Sequence, residues 1–253
     1  MPVLSLPIPR LPRRRPDAST GRTSAPETRA VQLRGLLTLG RAQLARAPLT
    51  VGYLVLLAVT TLIQLGVSGS TRQALLAGSS TDVLHLGAVP ARVLVASALW
   101  LPDLDWFQTL ALFALVLAPV EARLGTRRML VIFLTGHVLA TLLTELPVAA
   151  AVAVGHLPVS SRARLDVGVS YGLWTVYAVR VWLSRHGAVR TLLVLGAVVD
   201  VLIPLLRDPE VTTWGHLASL GTGGVIVLLL RARRRPRLQP AMPHPIEELA
   251  LAG

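Results

Sequence analysis

Residues 129–149 read MLVIFLTGHVLATLLTELPVA, and this stretch decides the class of fold. Its only ionisable side chains are those of His137 and Glu145. An α-helix rises about 1.5 Å per residue, so a helix of this length crosses about 30 Å of hydrocarbon. The stretch therefore predicts a membrane-spanning helix.

Five further apolar blocks lie on either side of this stretch. They cover residues 51–67, 106–120, 167–183, 188–206 and 214–230. Most reach the roughly 17–25 residues that a spanning helix needs, and the short block 106–120 fits a helix end that is supported by protein rather than lipid. We therefore predict an all-α fold, a polytopic bundle of six transmembrane helices over residues 48–231.

The composition argues against a compact soluble enzyme. Apolar residues make up 53% of the chain and charged residues only 15%, whereas a soluble domain averages about 25% charged residues. Cysteine is absent, which excludes disulfides, thiolate metal ligands and a cysteine nucleophile. Neither HExxH nor another metal-ligand spacing occurs, so we expect no metal and no cofactor. Lysine and asparagine, both encoded by AA-starting codons, are also absent, which indicates a GC-rich genome such as an actinobacterial one.

The net charge of +12 rests on arginine as the sole fully basic residue. Such a charge is typical of nucleic-acid binding, but the arginines cluster at the two ends of the chain, so we predict no nucleic-acid partner. Six spans would place both termini on one side of the membrane, and that side receives 20 arginines against five on the other. The positive-inside rule then predicts a multi-pass protein of the cell membrane with both termini in the cytoplasm.

The segments outside the spans predict two tails and one long loop. Residues 1–47 form an Arg/Pro-rich cytoplasmic tail, and residues 232–253 form a second basic tail. Within the first tail, residues 28–46 alternate leucine or valine with arginine, which fits either an interfacial helix on anionic lipid or a plain tail. The segment 68–105 is too apolar for a free loop and predicts a hairpin or short helices that lie against the bundle.

Polar residues converge on one layer of the predicted bundle. The direction of each span and its rise per residue place Ser170, His216 and Glu145 near the side opposite the termini, with Asp166 one turn above Ser170. Thr109, early in the second span, lies in the same layer. A histidine beside a serine can take the hydroxyl proton during nucleophilic attack. The alternative is that the serine and the histidine are two interior polar groups that satisfy each other.

Small residues recur on the two spans that carry this pair. The last span has Gly215, Ser219 and Gly223 at four-residue spacing, and the fourth span has Gly168 and Gly172. Small residues at this spacing let two membrane helices approach closely. They predict a structural contact between the fourth and the sixth span.

Two further groups of polar residues allow two interpretations each. His137, Thr141 and Glu145 share one helix face, and they form either a relay that supports the site or interhelical hydrogen bonds that fix the packing. Asp166 either orients His216 or caps the fourth span at its N-terminus.

These motifs together resemble the rhomboid family of intramembrane serine proteases. In that family a GxS motif carries the nucleophile, as in Gly168-Val169-Ser170, and a histidine on a helix of small residues is the base, as in Gly215-His216-Leu217-Ala218-Ser219 with Gly223. The stretch Val120-Glu121-Ala122-Arg123-Leu124-Gly125 is similar to an acidic-LG turn of the family. The long segment before the second span is similar to the family's membrane-embedded first loop. The resemblance covers about residues 50–231 and implies a rhomboid-like fold with Ser170 and His216 as catalytic residues.

The chain departs from the family pattern in two places. The family's GxSG becomes Gly168-Val169-Ser170-Tyr171, and the glycine is displaced to Gly172. The family's histidine and asparagine that help to stabilise the oxyanion have no counterpart in residues 100–112 (WLPDLDWFQTLAL). Gln108 or Thr109 could take their place.

The sequence leaves three functions open. The first is a serine-type intramembrane peptidase that cuts transmembrane segments of other proteins, and the second is an inactive pseudoprotease that binds such segments without cutting them. The third is a small transporter that uses Glu145, His137 and Asp200, although transporters more often show inverted repeats or broken helices. The first two imply transmembrane helices of other membrane proteins as partners, and the arginine-rich tails predict contact with anionic lipid.

Overall fold

The computed structural model describes residues 45–234, and within them the chain forms helices and no strand. The predicted tails and the predicted interfacial helix 28–46 lie almost entirely outside these residues and remain predictions. The helices are α1 (Pro48–Gly66), α2 (Gly69–Gly78), α3 (Val83–Ala88), α4 (Pro90–Ser97), α5 (Trp106–Leu124), α6 (Thr126–Ala153), α7 (Ser170–Leu183), α8 (Gly187–Arg207) and α9 (Val211–Arg234).

Five of the described helices, α1, α5, α6, α8 and α9, are long and apolar enough to cross a membrane. This confirms the predicted all-α membrane bundle. The fourth predicted span, residues 167–183, is shorter than expected, because α7 has 14 residues and begins only at Ser170. Gly168, with a φ of +141°, lies outside helical geometry and delays the start of the helix.

Helix α7 lies at the centre of the bundle. Its residues 171–177 are buried without interruption, as expected for a helix that protein surrounds on every side. It packs against α6 and α9, and its Trp174 joins Phe113 and Phe133 in the apolar core. A helix in this position is shielded from lipid by its neighbours, which explains why 14 residues suffice.

The segment between α1 and α5 folds into the predicted short helices, α2 to α4. The Asp82 carboxylate caps α3 by accepting hydrogen bonds from the N–H groups of Leu84 and His85, at 3.0 and 3.1 Å. The end of the segment is fixed to α1, because the Tyr53 hydroxyl donates to the carbonyl oxygen of Ala98 at 2.6 Å. These bonds hold a largely apolar loop against the bundle.

Two of the long helices contain a π-helical turn. One turn covers Phe113–Leu117 in α5, and the other covers Val198–Leu202 in α8. A π-turn disturbs the regular hydrogen-bond ladder and is frequent at functional sites. The Nε atom of Arg180 donates to the carbonyl oxygen of Leu115 at 2.9 Å, so α7 supports the first of these turns directly.

The bundle has two chemically different ends. At one end Arg127 and Arg128 of α6 line the same groove as Arg233 of α9, and we call this the arginine end. At the other end Ser170 of α7 and His216 of α9 line the same cavity, and we call this the cavity end.

Candidate active site

Ser170 is the first residue of α7, at the cavity end. Two residues before it, the positive-φ backbone of Gly168 is fixed by a hydrogen bond from the Gly168 N–H to the carbonyl oxygen of Ser97, at 3.0 Å. No side chain caps the start of α7. The first N–H groups of the helix therefore have no partner within it and present a partial positive charge beside Ser170.

A cavity of about 410 Å³ brings the two predicted catalytic residues together. Ser170, His216 and Thr109 all line it, as does Gly168. No hydrogen bond joins Ser170 to His216, and the buried Nε2 atom of His216 has no hydrogen-bond partner among the described residues. The side chains thus share one space without satisfying each other, unlike the alternative that the sequence had left open.

Two aromatic rings fix the position of the His216 imidazole. The ring of Tyr171 lies edge-on at 5.9 Å between centroids, and the ring of Trp174 lies tilted at 5.7 Å. Both residues belong to α7, one and four positions after Ser170. The same helix therefore carries the serine and holds the histidine ring.

Asp166 is a buried anchor, and it neither caps α7 nor bonds to His216. Its carboxylate accepts hydrogen bonds from the hydroxyl groups of Tyr171 and Thr81, both at 3.1 Å, and its N–H donates to Ser80 Oγ at 3.0 Å. The predicted cap is wrong, because these loop contacts hold the carboxylate away from the helix start. Asp166 reaches His216 only through the ring of Tyr171.

Burial raises the pKa of Asp166 above the usual range of an aspartate. The charge of Arg164 and the hydrogen bonds from Tyr171 and Thr81 oppose this rise without cancelling it. The residue lies between α6 and α7, outside the membrane-spanning helices.

Four of the five small residues predicted to be structural lie at close helix contacts. Gly168 is the exception, because it precedes α7 and a Cβ atom there would meet only Pro102, at 3.7 Å. Gly172 faces α6 and not α9, so the prediction of a contact with the sixth span is wrong for this residue. A Cβ atom on Gly172 would lie 2.5 Å from the Phe133 ring, and one on Gly215 would lie 2.3 Å from the Tyr171 ring. Ser219 is fully buried, and its carbonyl oxygen accepts a hydrogen bond from Thr175 Oγ1 at 3.0 Å.

Gly223 makes the tightest of the backbone approaches between α7 and α9. A Cβ atom there would lie 2.4 Å from the carbonyl oxygen of Thr175. Real Cβ atoms do not approach backbone so closely, so only glycine fits without a shift of the helices. The contact sets the distance between the helices that carry Ser170 and His216.

Two residues on the polar face of α6, His137 and Glu145, contact different parts of the structure. The Nε2 atom of His137 lies 2.9 Å from the carbonyl oxygen of Leu94 and 3.2 Å from Ser97 Oγ, both in α4. Glu145 forms an ion pair with Arg164 at 2.6 Å. These contacts favour the packing interpretation over a relay, because no hydrogen bond connects His137 to Glu145.

A second cavity of about 270 Å³ nevertheless extends the site towards His137. It shares Ser170 and Gly168 with the first cavity and adds His137, Asp166 and Tyr171. Three buried atoms on this face of α6 have no hydrogen-bond partner among the described residues, namely His137 Nδ1, Thr141 Oγ1 and Glu145 Oε2. Unsatisfied buried polar atoms of this kind are usually hydrated.

A family model described as "Rhomboid-like protein" matches residues 42–236 of the chain. The chain belongs to the rhomboid-like family. The match covers the whole described bundle and both helices that carry the candidate pair. No curated protein and no solved structure matches this chain.

The second span of this rhomboid-like chain offers one side chain in place of the family's oxyanion residues. Thr109 lines the cavity, but its hydroxyl group donates to the carbonyl oxygen of Asp105 at 2.7 Å. Gln108 lines the same cavity, is exposed to it, and its side-chain amide makes no hydrogen bond to a described residue. Of the two side chains, only that of Gln108 is therefore free of a hydrogen-bond partner among the described residues.

Asp200 lies in the wall of the cavity, on the π-helical turn of α8. It forms no ion pair or hydrogen bond with the described residues. Asp103 and Asp105 line the same cavity, and no arginine does. The rhomboid-like site is thus acidic in a strongly basic chain.

Sequence reasoning missed the two aromatic residues that hold His216. Tyr171 occupies the position where the family pattern has glycine, and this departure was the available signal. Trp174 lies one turn after Ser170, a spacing that puts two residues on the same helix face.

Proposed function

We propose that this rhomboid-like membrane protein is a serine peptidase that cuts transmembrane segments of other membrane proteins. The observation that carries the proposal is that Ser170 and His216 line one cavity while the Nε2 atom of His216 has no partner. An unpartnered imidazole nitrogen can accept the serine proton once a substrate brings the groups together. Catalytic hydrogen bonds are often long in structures without substrate and shorten in the complex with substrate.

The reaction would proceed through an acyl-enzyme. The Oγ atom of Ser170 attacks the carbonyl carbon of the scissile peptide bond, and His216 takes the hydroxyl proton. His216 then returns this proton to the leaving nitrogen as the C–N bond breaks. A water molecule gives a proton to His216 and attacks the carbonyl carbon of the resulting ester. His216 returns this proton to Ser170 Oγ as the C–O bond breaks and the carboxylic acid leaves. The N–H groups at the start of α7 stabilise the negative oxygen in both steps.

Helix α8 offers the client segment a route to the cavity. Val199, Asp200 and Pro204 of this helix form one wall of the cavity. Within residues 187–207 only Val201 is buried, so few contacts hold α8 to the bundle. Among the five long helices α8 has the smallest buried share, and a helix with so little buried surface moves at low cost.

The pseudoprotease is the second candidate, and two observations favour it. Ser170 and His216 share no hydrogen bond, and the hydroxyl group of Thr109 already donates to the carbonyl oxygen of Asp105. In this case the cavity and α8 would bind client helices without cutting them.

A fluorophosphonate probe distinguishes the two functions, because it labels only an activated serine. For the peptidase we expect labelling of the purified protein that Ser170→Ala and His216→Ala each abolish. The exposed Ser70 provides a matched control, and Ser70→Ala should label like the wild type. Labelling that survives Ser170→Ala would contradict our assignment of the nucleophile. A wild-type protein that does not label, yet retains a single-span client in both wild-type and Ser170→Ala form, would establish the pseudoprotease.

We further propose that the protein resides in the cell membrane with both termini in the cytoplasm. The asymmetric distribution of arginine supports this orientation. It places the arginine end in the cytoplasm and the cavity end on the outside. Transmembrane helices of client proteins would be the main partners, and the arginine-rich tails, 1–47 and 232–253, would contact anionic lipid.

A further inference from the structure

A groove at the arginine end, far from the candidate active site, is lined by both charged and apolar side chains. It lies between the first turns of α6 and the last turns of α9 and has a volume of about 460 Å³. Arg127 and Arg128 form its rim on α6, and Arg233 forms its rim on α9. Below this rim the walls are mainly aliphatic, with Val131 on one side and Leu229 on the other.

The three arginines of this groove make no polar contact within the described bundle. Arg127, Arg128 and Arg233 are exposed, and none of them forms a hydrogen bond or an ion pair with the described residues. Other arginines at the same end do have partners. Arg123 donates to the carbonyl oxygen of Leu183, and the guanidinium of Arg231 lies over the Trp182 ring at 5.8 Å.

The apolar walls continue away from the rim in the direction of the membrane interior. Thr135 also lines the groove, and it lies seven positions after Arg128, which corresponds to about 10 Å along the helix axis. Val131 and Leu229 are 56% and 58% exposed, so these walls are open to whatever surrounds the bundle. An ionic rim above an apolar groove matches the two parts of a phospholipid, and basic pockets between membrane helices bind acidic head groups.

We propose that this groove binds one anionic phospholipid. The lipid phosphate lies between Arg127, Arg128 and Arg233, and the first part of an acyl chain packs between Val131 and Leu229. Inorganic phosphate has no apolar part that could pack against the aliphatic walls. A zwitterionic lipid such as phosphatidylcholine would leave the triple positive charge uncompensated. The site is independent of the proposed peptidase activity.

Native mass spectrometry of the purified protein in detergent tests the proposal, with phosphatidylglycerol, phosphatidylcholine and inorganic phosphate as separate probes. We expect one phosphatidylglycerol to bind in preference to phosphatidylcholine and inorganic phosphate not to compete. The triple variant Arg127→Gln, Arg128→Gln, Arg233→Gln should weaken binding about 100-fold, because each arginine near anionic lipid contributes about fivefold. The control triple Arg46→Gln, Arg185→Gln, Arg190→Gln removes the same charge from the same end and should change binding less than about threefold.

A second variant tests the apolar half of the site and leaves the charge unchanged. Val131→Trp fills the groove beside the rim, and we expect it to abolish the bound phosphatidylglycerol while Ser170→Ala retains it. Equal losses in the two arginine triples would show that the lipid is held by diffuse charge, and competition by inorganic phosphate would show that the site binds a free anion. Either result overturns the proposal. If the first triple does not fold, Arg128→Gln and Val131→Trp decide the question, and unchanged binding in both rejects the site.

Discussion

The carbonyl oxygen of Thr175 lies only 2.4 Å from the position that a Cβ atom on Gly223 would occupy. Thr175 also donates its hydroxyl group to the carbonyl oxygen of Ser219, at 3.0 Å. Ser219 and Gly223, on successive turns of α9, thus both contact Thr175 of α7. This crossing fixes the helix that carries His216 against the helix that carries Ser170.

We therefore expect Gly223→Ala to destabilise the bundle. The added methyl group meets backbone, which cannot rotate away, so the substitution should cost about 1–3 kcal/mol as overpacking does. Gly221→Ala is the matched control on the same helix, because nothing lies within 4 Å of its Cβ position. Thermal unfolding in detergent should show a lower midpoint for Gly223→Ala and an unchanged or higher one for Gly221→Ala. Equal midpoints would mean that the two helices can separate without cost.

Glu121 provides a second stability test, because its carboxylate caps a helix to which it does not belong. It accepts hydrogen bonds from the N–H groups of Leu49 and Thr50 at 2.8 and 2.7 Å, and from the hydroxyl groups of Thr50 and Thr126. Glu121→Gln places an amide donor against one of these N–H groups. Bonds to charged groups contribute about 1.5–3 kcal/mol each, so we expect a loss of about 2–4 kcal/mol.

The control for this prediction is Glu210→Gln, in which the same chemical change occurs at an exposed carboxylate. Chemical denaturation in mixed micelles should separate the two variants clearly. A Glu121→Gln protein as stable as Glu210→Gln would show that the start of α1 does not depend on this cap.

The membrane orientation can be tested at two positions of the chain. A reporter enzyme fused after residue 253 should be active on the cytoplasmic side, and one inserted within 156–166 should be active on the opposite side. The physical reason is the excess of arginine at the arginine end. Reporters that are active on the same side, or a C-terminus on the outside, would reject the orientation.

Much of the fold could be predicted from the sequence because long apolar runs have few alternatives in a membrane. The spans that became α1, α6 and α9 were located to within a few residues for this reason. The start of α7 was misplaced, since apolar composition does not reveal where Gly168 leaves helical geometry. The π-turns of α5 and α8 were not predicted either, because they depend on contacts such as that between Arg180 and Leu115.

The sequence could predict that Ser170 and His216 lie near each other, as their shared cavity confirms, but it could not predict the contacts of the site. The direction of the spans was enough to place Ser170 and His216 in one layer. The partners of Asp166 could not be found in this way, because Thr81 and Ser80 belong to a loop more than 80 residues earlier in the chain. The role of Glu121 at the start of α1 depends on a similarly distant contact. Such pairs have no local signal, and only the folded loops bring them together.

The buried Asp166 predicts a specific dependence of stability on pH. Burial raises its pKa in the folded protein, so the folded state holds the proton more tightly than the unfolded state. Its contribution to stability is therefore fully present below the ordinary aspartate pKa of about 3.9, and it is lost as the pH rises through the raised value. Asn is uncharged like the protonated acid, so the Asp166→Asn variant does not lose this stability as the pH rises.

We thus expect the stability of Asp166→Asn relative to the wild type to improve as the pH rises from about 4. Thermal unfolding of both proteins in one detergent over this pH range gives the difference directly. A difference that stays constant with pH would show that Asp166 titrates alike in the folded and unfolded states.

Gln108 provides the last prediction, which rests on the proposed peptidase activity. Its side-chain amide lines the cavity without a partner among the described residues, whereas the Thr109 hydroxyl group donates to Asp105. If Gln108 supplies an oxyanion donor, Gln108→Ala removes an interaction that forms only in the transition state. Loss of one such donor costs about 100-fold or more in kcat, with KM nearly unchanged. Thr109→Val should lower kcat less than about threefold, because the Thr109 hydroxyl group already donates its proton to the carbonyl oxygen of Asp105. Cleavage of a transmembrane reporter in liposomes measures both constants, and Ser170→Ala sets the background. A Gln108→Ala enzyme with wild-type kcat would show that the backbone N–H groups at the start of α7 stabilise the oxyanion alone.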